Sequence, residues 1–600
     1  MKALATRIGI WWAGPRRKTS LTDLGALLIG ALLTLALTGY TRMDLRQPAG
    51  LGGDHLFVVA YAKNYINGHG FRLNGHLGFP DVQDNLRFPS FDLSYRTWLW
   101  LEAQVFSNPF TVVHGLYIIG ILAMFGFGYW ALRRLGVRSW IAALGAVATV
   151  LTPYFAVRGF GHDFLAMSFS APLGMTCALL IGASRPDADL KSFLKHPFTL
   201  ATIVVVGCSG LYYAFYTLMF LAFAGAASAL GQRRWFPLLA VIGMGTPLFL
   251  LLLFSGYGLD LPEVLSGRFA GPHRFAFEQV IYGLQIGTAA HSFQFIPKAA
   301  NGLTVAIASV PSAFGGEAAG MEWPAAPLSL IILASPFVCA LGYQASVARG
   351  APSRDLRLIA VGALLITFGL LFGVSGGLGF LFNLFVSPEI RADERLMPFL
   401  TFAAVAILSV ATEMAMTLDR RPLRYGVATV FALLIAVSVR PQFAVLSHHQ
   451  AASLANPAVQ QLQSSTLAML RAKDKAGLRT VLEMPVAGWP EAPPIHELDP
   501  YQHMLPYLFD RRDSPTRWSY GANQAQPWFG RVLFSAGQVE GLADRVRALG
   551  FDSILVEKRG YDAAGLGALQ AGLGTQIAVA CRLYEDELMV LYALPGKGRC

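Results

Sequence analysis

The sequence predicts a mainly α-helical, polytopic transmembrane bundle of about eleven spans with a C-terminal soluble α/β domain. Three observations carry that expectation. Hydrophobic residues make up 54% of the chain, charged residues only 14%, and the mean hydropathy is +0.48, beyond the usual composition of soluble domains. Uncharged or nearly uncharged runs of roughly 16 to 21 residues recur, and about 20 helical residues cross a hydrocarbon core roughly 30 Å thick. From about residue 441 the composition turns to that of a soluble domain, with no further run long enough to span.

Taken in order, spans are expected near 21–40, 110–132, 139–157 and 164–183. The apolar stretch 197–230 reads as two short crossings hinged near Ser209 and Gly210, or as a re-entrant hairpin, because its helical length of about 51 Å is short for two full crossings. Further spans follow near 236–256, 326–344, 356–374, 396–416 and 425–439. Basic residues sit in short connections: Arg133, Arg134, Arg138, Arg233, Arg234, Arg349, Arg354, Arg357, Arg420, Arg421 and Arg424. The positive-inside bias puts these connections in the cytoplasm together with the basic N-terminus, which reads as leading into a retained first span. A transmembrane domain of residues 1–440 then carries two large far-side loops, 41–109 and 257–325, and the domain of residues 441–600 lies on that same side.

The net charge of +11 therefore reflects topology and does not point to nucleic acid. Five cysteines show neither a disulfide framework nor a metal-type spacing. In the C-terminal domain, Thr480–Met484 and Ser553–Glu557 read as strands, as do Ile577–Arg582 and Leu588–Leu594, the last two forming a hairpin; Gln538–Leu549 reads as a helix ending at Gly550.

Mid-membrane positions are nearly free of ionisable groups, which disfavours an ion-coupled carrier, and polar residues crowd the far-side loops instead. In the first loop, Leu56–Ile66 reads as an amphipathic helix lying along the membrane interface, with Asp54 at its start. Asp54 is either an N-cap, accepting backbone N–H bonds, or a general base for an acceptor hydroxyl; the first role weakens the second, because a helix N-terminus stabilises the carboxylate. His55, Asp92, Arg158, His162 and Asp163 are candidates to line the same cavity, with Asp81, Asp84 and Glu102 nearby in sequence. The spacing of Asp81 and Asp84 suits a metal only weakly, so no cofactor is expected, with a divalent metal left open.

A stronger constellation is Pro388–Pro398, which enters a span from the far side. Arg391 and Arg395, four apart, would share a helix face and offer guanidinium forks to phosphate; pairing with Glu389, Asp393 or Glu394 is the structural alternative. Arg268, His273, Arg274, His291 and Lys298 in the second loop are looser candidates. No Walker loop, Gly-x-Ser-x-Gly elbow or His-Glu-x-x-His helix occurs, which counts against ATP-driven transport and serine or zinc hydrolysis.

The layout, an Asp early in the first large external loop, about eleven spans and an α/β domain after the last, resembles the bacterial GT-C glycosyltransferases. The stretches Gly210–Phe215, Ile390–Phe399, Arg517–Gly521 and Leu549–Tyr561 are similar to those of bacterial members near the YfhO-like group. The resemblance implies a polyprenyl-phosphate-linked sugar as donor, a glycan or lipid acceptor, and an inverting transfer in envelope glycan assembly at the periplasmic face of the bacterial inner membrane. It maps the catalytic base onto Asp54 and, more loosely, the donor-phosphate ligands onto Arg391 and Arg395. Where many relatives carry a paired acidic motif, this chain has Asp54 followed by His55. The competing expectations are a lipid-linked sugar flippase or other transporter, and a non-catalytic subunit of a polysaccharide assembly system. The segment Pro515–Phe529, with Arg517, Trp518, Tyr520 and Trp528, would stack on sugars or pack the domain onto the membrane part.

Overall fold

The computed structural model describes residues 21–85, 92–184, 188–258, 275–286, 323–324, 326–349, 353–489, 494–499, 501–522 and 540–595. Arg268, His273, Arg274, His291, Lys298 and Trp528 lie outside them.

Nine helices among the described residues are long and apolar enough to cross a bilayer: Leu21–Thr38, Pro109–Arg134, Ser139–Arg158, Asp163–Gly182, Leu211–Gln232, Phe236–Tyr257, Arg354–Gly373, Asp393–Ala415 and Arg421–Ala455. Two shorter apolar helices, Pro197–Gly207 and Ala326–Cys339, accompany them, so the chain is a multi-pass membrane protein whose apolar segments fall where the sequence puts them. Their ends have local causes. Asn108 caps the Pro109 helix by accepting from the N–H of Phe110 at 2.8 Å and of Thr111 at 3.2 Å, with proline at the first helical position. Charges collect at one end of the bundle, where Arg138 clasps Glu413 through Nε at 2.9 Å and Nη2 at 3.0 Å, and Arg133 meets Asp23 at 3.3 Å.

Two expectations change here. The stretch near 197–230 does break at its predicted hinge, where Gly210 adopts φ 102, a conformation that favours glycine, but Leu211–Gln232 has 22 residues and is of full length. Only Pro197–Gly207, with 11 residues, is short. The first-loop helix, Asp54–Ile66, is not a surface-lying amphipath: every residue from His55 to Ile66 is buried. It packs on the helices Leu93–Ala103 and Pro109–Arg134 from below and is roofed by Leu505–Phe509. The apolar and polar faces both find protein, and Lys63 is buried because its ammonium donates to the carbonyls of Tyr507, Leu508 and Asp510 that end the roofing helix.

The C-terminal sheet runs in the order 517–518, 480–484, 553–557, 589–593, 582–585, the first three strands parallel and the last two an antiparallel hairpin. Alternation along each strand feeds two cores. Val481, Leu555 and Leu591 join the large core that also holds Phe57, Tyr61, Trp489 and Trp518, while Leu482, Ile554, Val556 and Val590 pack with Leu569 and Leu573 on the other face. The expected strand at Ile577–Arg582 is instead the end of a helix, Ala563–Gln576, and a 3-10 turn, and the pairing strand begins at Arg582. The sheet is thus welded to the first loop: Gly78 N–H donates to the Tyr520 carbonyl at 2.8 Å and Phe79 N–H to that of Trp518 at 3.0 Å. Trp518 and Tyr520 are consumed in this packing.

Candidate active site

Two dipeptides of opposite order meet where the first-loop helix begins. Gly53, at φ 66, turns the chain into the helix so closely against the Gly161 carbonyl that a Cβ would stand 3.1 Å from it. Asp54 N–H donates to that same carbonyl at 3.0 Å. This bond brings Asp54-His55 alongside His162-Asp163, and the pairs cross. Asp54 Oδ2 lies 3.0 Å from His162 Nδ1, and His55 Nδ1 lies 2.9 Å from Asp163 Oδ2.

The two contacts differ in setting. The Asp54 and His162 side chains are 44% and 36% exposed, and despite the close approach His162 Nδ1 makes no aligned hydrogen bond. His55 and Asp163 are buried, and Asp163 also accepts from the hydroxyl of Tyr117, which in turn reaches the Gly159 carbonyl. His55 Nε2 is buried without a hydrogen-bond partner. Asp54 makes no side-chain capping bond, so the cap expectation gives way to a carboxylate in the first turn of the helix, with solvent on one side and an imidazole on the other.

Arg158 starts the same turn: its carbonyl accepts from the N–H of Gly161 at 3.0 Å and of His162 at 2.8 Å. Its buried guanidinium reaches Glu394. Next along the chain from Glu394, Arg395 stacks on Tyr212, its guanidinium carbon 3.9 Å from the ring centroid, and its Nε has no hydrogen-bond partner. Arg158 and Arg395 are near enough to repel each other. Tyr154 and Tyr213, hydroxyl to hydroxyl at 3.1 Å, lie beside them.

The arginine pair itself is corrected. Residues from Ile390 to Ala392 are not helical and Asp393–Leu396 form a 3-10 turn, so Arg391 and Arg395 do not share a helix face. Pro388 and Pro398 bracket a segment too constrained to extend the following helix outward. Arg391 points to Glu278 of the second loop and stands 5.3 Å from the Tyr282 ring. Asp92 is also set apart, close to the hinge glycine: a Cβ on Gly210 would come within 2.8 Å of its Oδ1. Burial pushes Asp92 up to about 7, with Arg96 opposing, and burial likewise lifts Glu102 to about 7. Asp84 pairs with Arg72 at 3.5 Å, and the Asp81 carbonyl accepts from Arg517 at 2.7 Å.

The site thus gathers Asp54, His55, His162, Asp163 and Arg158, adds Arg395 by way of Glu394, and leaves Asp92 and Arg391 apart from it. Sequence reasoning missed Tyr117 and Glu278, and gave Tyr212, within the Gly210–Phe215 stretch, no role of its own. Tyr117 carries no local signal within its apolar run, and Glu278 stands more than a hundred residues from its partner.

No family model matches the sequence, and no curated protein does. Among solved structures the chain is similar to the arabinofuranosyltransferase AftD from Mycobacteria, with a TM-score of 0.50 and 14% identity over 98% of this chain and 40% of that one. It also aligns with ArnT from Cupriavidus metallidurans bound to undecaprenyl phosphate, with a TM-score of 0.46 and 13% identity over 96% and 99% of the two chains. This chain spans 40% of the length of AftD, and the likeness at such identity is one of fold. What the likeness shows is a fold shared with AftD.

Proposed function

We propose that this protein is a membrane glycosyltransferase that moves a sugar from a polyprenyl-phosphate donor to the hydroxyl of a glycan or lipid acceptor, with inversion, on the periplasmic face of the bacterial inner membrane. The observation that carries the reading is the placement of Asp54. A half-exposed carboxylate with an imidazole at 3.0 Å stands one turn of chain from a buried arginine, Arg158, with Arg395 close behind it. Glycosyl transfer from a phosphate needs that polarity: a base where the hydroxyl arrives and cations where phosphate charge develops. Asp54 supplies the carboxylate of the base. Arg395, stacked on Tyr212 with an unsatisfied Nε, is the better placed of the two donor-phosphate candidates, because Arg391 is committed to Glu278. The likeness of fold to an arabinofuranosyltransferase and the expected external-loop position of Asp54 support the same reading.

The test is transfer by the purified full chain in lipid nanodiscs, offered a panel of polyprenyl-phosphate sugars together with envelope glycan and lipid extracts. A covalent glycosylated product with release of polyprenyl phosphate is expected. Movement of the lipid-linked sugar across vesicles with no covalent product would replace transfer by transport.

A further inference from the structure

Asp54 alone is a poor proton acceptor. It occupies the first position of a 13-residue helix and makes no side-chain capping bond. An imidazole, with an ordinary pKa near 6.5, holds a proton far better at neutral pH than a carboxylate near 3.9. His162 presents one: its Nδ1 atom is buried against Asp54, while the side chain as a whole is 36% exposed, so the open edge of the ring is the one that carries Nε2. That disposition puts Nδ1 beside a carboxylate and Nε2 where incoming substrate would arrive.

We infer that the acceptor proton is taken by His162 Nε2, with the Asp54 carboxylate, 3.0 Å from Nδ1, stabilising the imidazolium that forms. The inference rests on the transfer reading above. In the step, the acceptor O–H bond breaks and its proton binds Nε2, while the acceptor oxygen forms the bond to the anomeric carbon. The anomeric carbon–phosphate oxygen bond breaks, its electron pair leaving with the polyprenyl phosphate. Imidazolium then releases the proton to water. The buried pair His55 and Asp163 serves as the mount: it locks the neighbouring residue of each partner, so that neither Asp54 nor His162 can shift along its chain. The ionisable groups on the elements around His162 are Asp54, His55, Arg158 and Asp163, with Tyr117, His114 and His449 about the His55–Asp163 pair, Glu394 behind Arg158 and Asp499 beside Gly52.

The experiment uses the full chain in nanodiscs and two readouts. Diethyl pyrocarbonate, which acylates accessible neutral imidazole nitrogens, should modify His162 well ahead of the buried His55, as read by peptide mass spectrometry. With the donor and acceptor panel, H162A should lose about a hundredfold or more in transfer rate. Added imidazole should restore part of that rate in H162A and none in D54N. A His162 that resists acylation, an H162A enzyme of unaltered rate, or an H162A loss that imidazole leaves untouched would each overturn the proposal. Absence of transfer by the wild type would overturn the functional reading instead, and the acylation result would still judge the exposed Nε2.

Discussion

Asp163 stands 2.9 Å from the Nδ1 atom of His55 in a buried setting, one residue along from the exposed meeting of Asp54 and His162. The chain thereby spends a structural histidine–aspartate pair to place a chemical one. Asp163→Asn keeps the shape but removes the charge and an acceptor from a site that also receives the Tyr117 hydroxyl. A loss of about 2–3 kcal/mol is expected, and Tyr117→Phe should cost about 1 kcal/mol. Denaturation of the detergent-solubilised variants measures both, and an unchanged Asp163→Asn protein would contradict the role.

Arg158 and Glu394 are both buried and reach each other across 236 residues of sequence. Removing one partner strands the other, so Arg158→Met or Glu394→Gln alone should destabilise by about 3–5 kcal/mol. The double variant should recover part of that loss. A double-mutant cycle with purely additive effects would show that the pair is not coupled.

Arg395 meets the face of Tyr212, and a lysine reproduces neither the planar stack nor the fork. Arg395→Ala and Arg395→Lys should both raise the donor KM by about tenfold or more. Arg391→Ala should act mainly through its bond to Glu278, on stability, with a smaller effect on donor KM. The reverse ranking in a donor titration would shift the phosphate assignment to Arg391.

Burial holds Asp92 and Glu102 protonated up to about 7 in the folded protein. Between the ordinary carboxylate range and that value, the native state binds protons that the unfolded chain has released, so stability falls as pH rises through this window. The melting temperature should therefore be lower at pH 8 than at pH 5.5, and Asp92→Asn and Glu102→Gln should each flatten the slope. A melting temperature that climbs with pH in both variants and wild type alike would contradict the assignment.

The transmembrane helices were legible because a run of apolar residues between caps has one physical outcome in a bilayer, as Asn108 to Arg134 illustrates. Thr480–Met484 and Ser553–Glu557 were legible for the same kind of reason: short β-branched runs with both faces buried. What could not be read was anything made by distant segments. Phe57, Tyr61 and Tyr65 form an apolar stripe that fits a membrane surface, yet the C-terminal helix Leu505–Phe509 covers the helix, and no local pattern announces a roof over four hundred residues away. Arg391 and Arg395 have helical spacing in a segment that its prolines keep from being helical. Asp54, His55, His162 and Asp163 were each identifiable as candidates, but their crossed pairing arises only when Gly53 and Gly161 touch.

The measurement closest to the central claim is glycan transfer by Asp54→Asn, purified as the full chain, with insertion and melting temperature matched to the wild type in the same nanodiscs. The account expects binding of the polyprenyl-phosphate sugar to survive while the transfer rate falls by about a hundredfold or more. Transfer at the wild-type rate by that folded variant would contradict it.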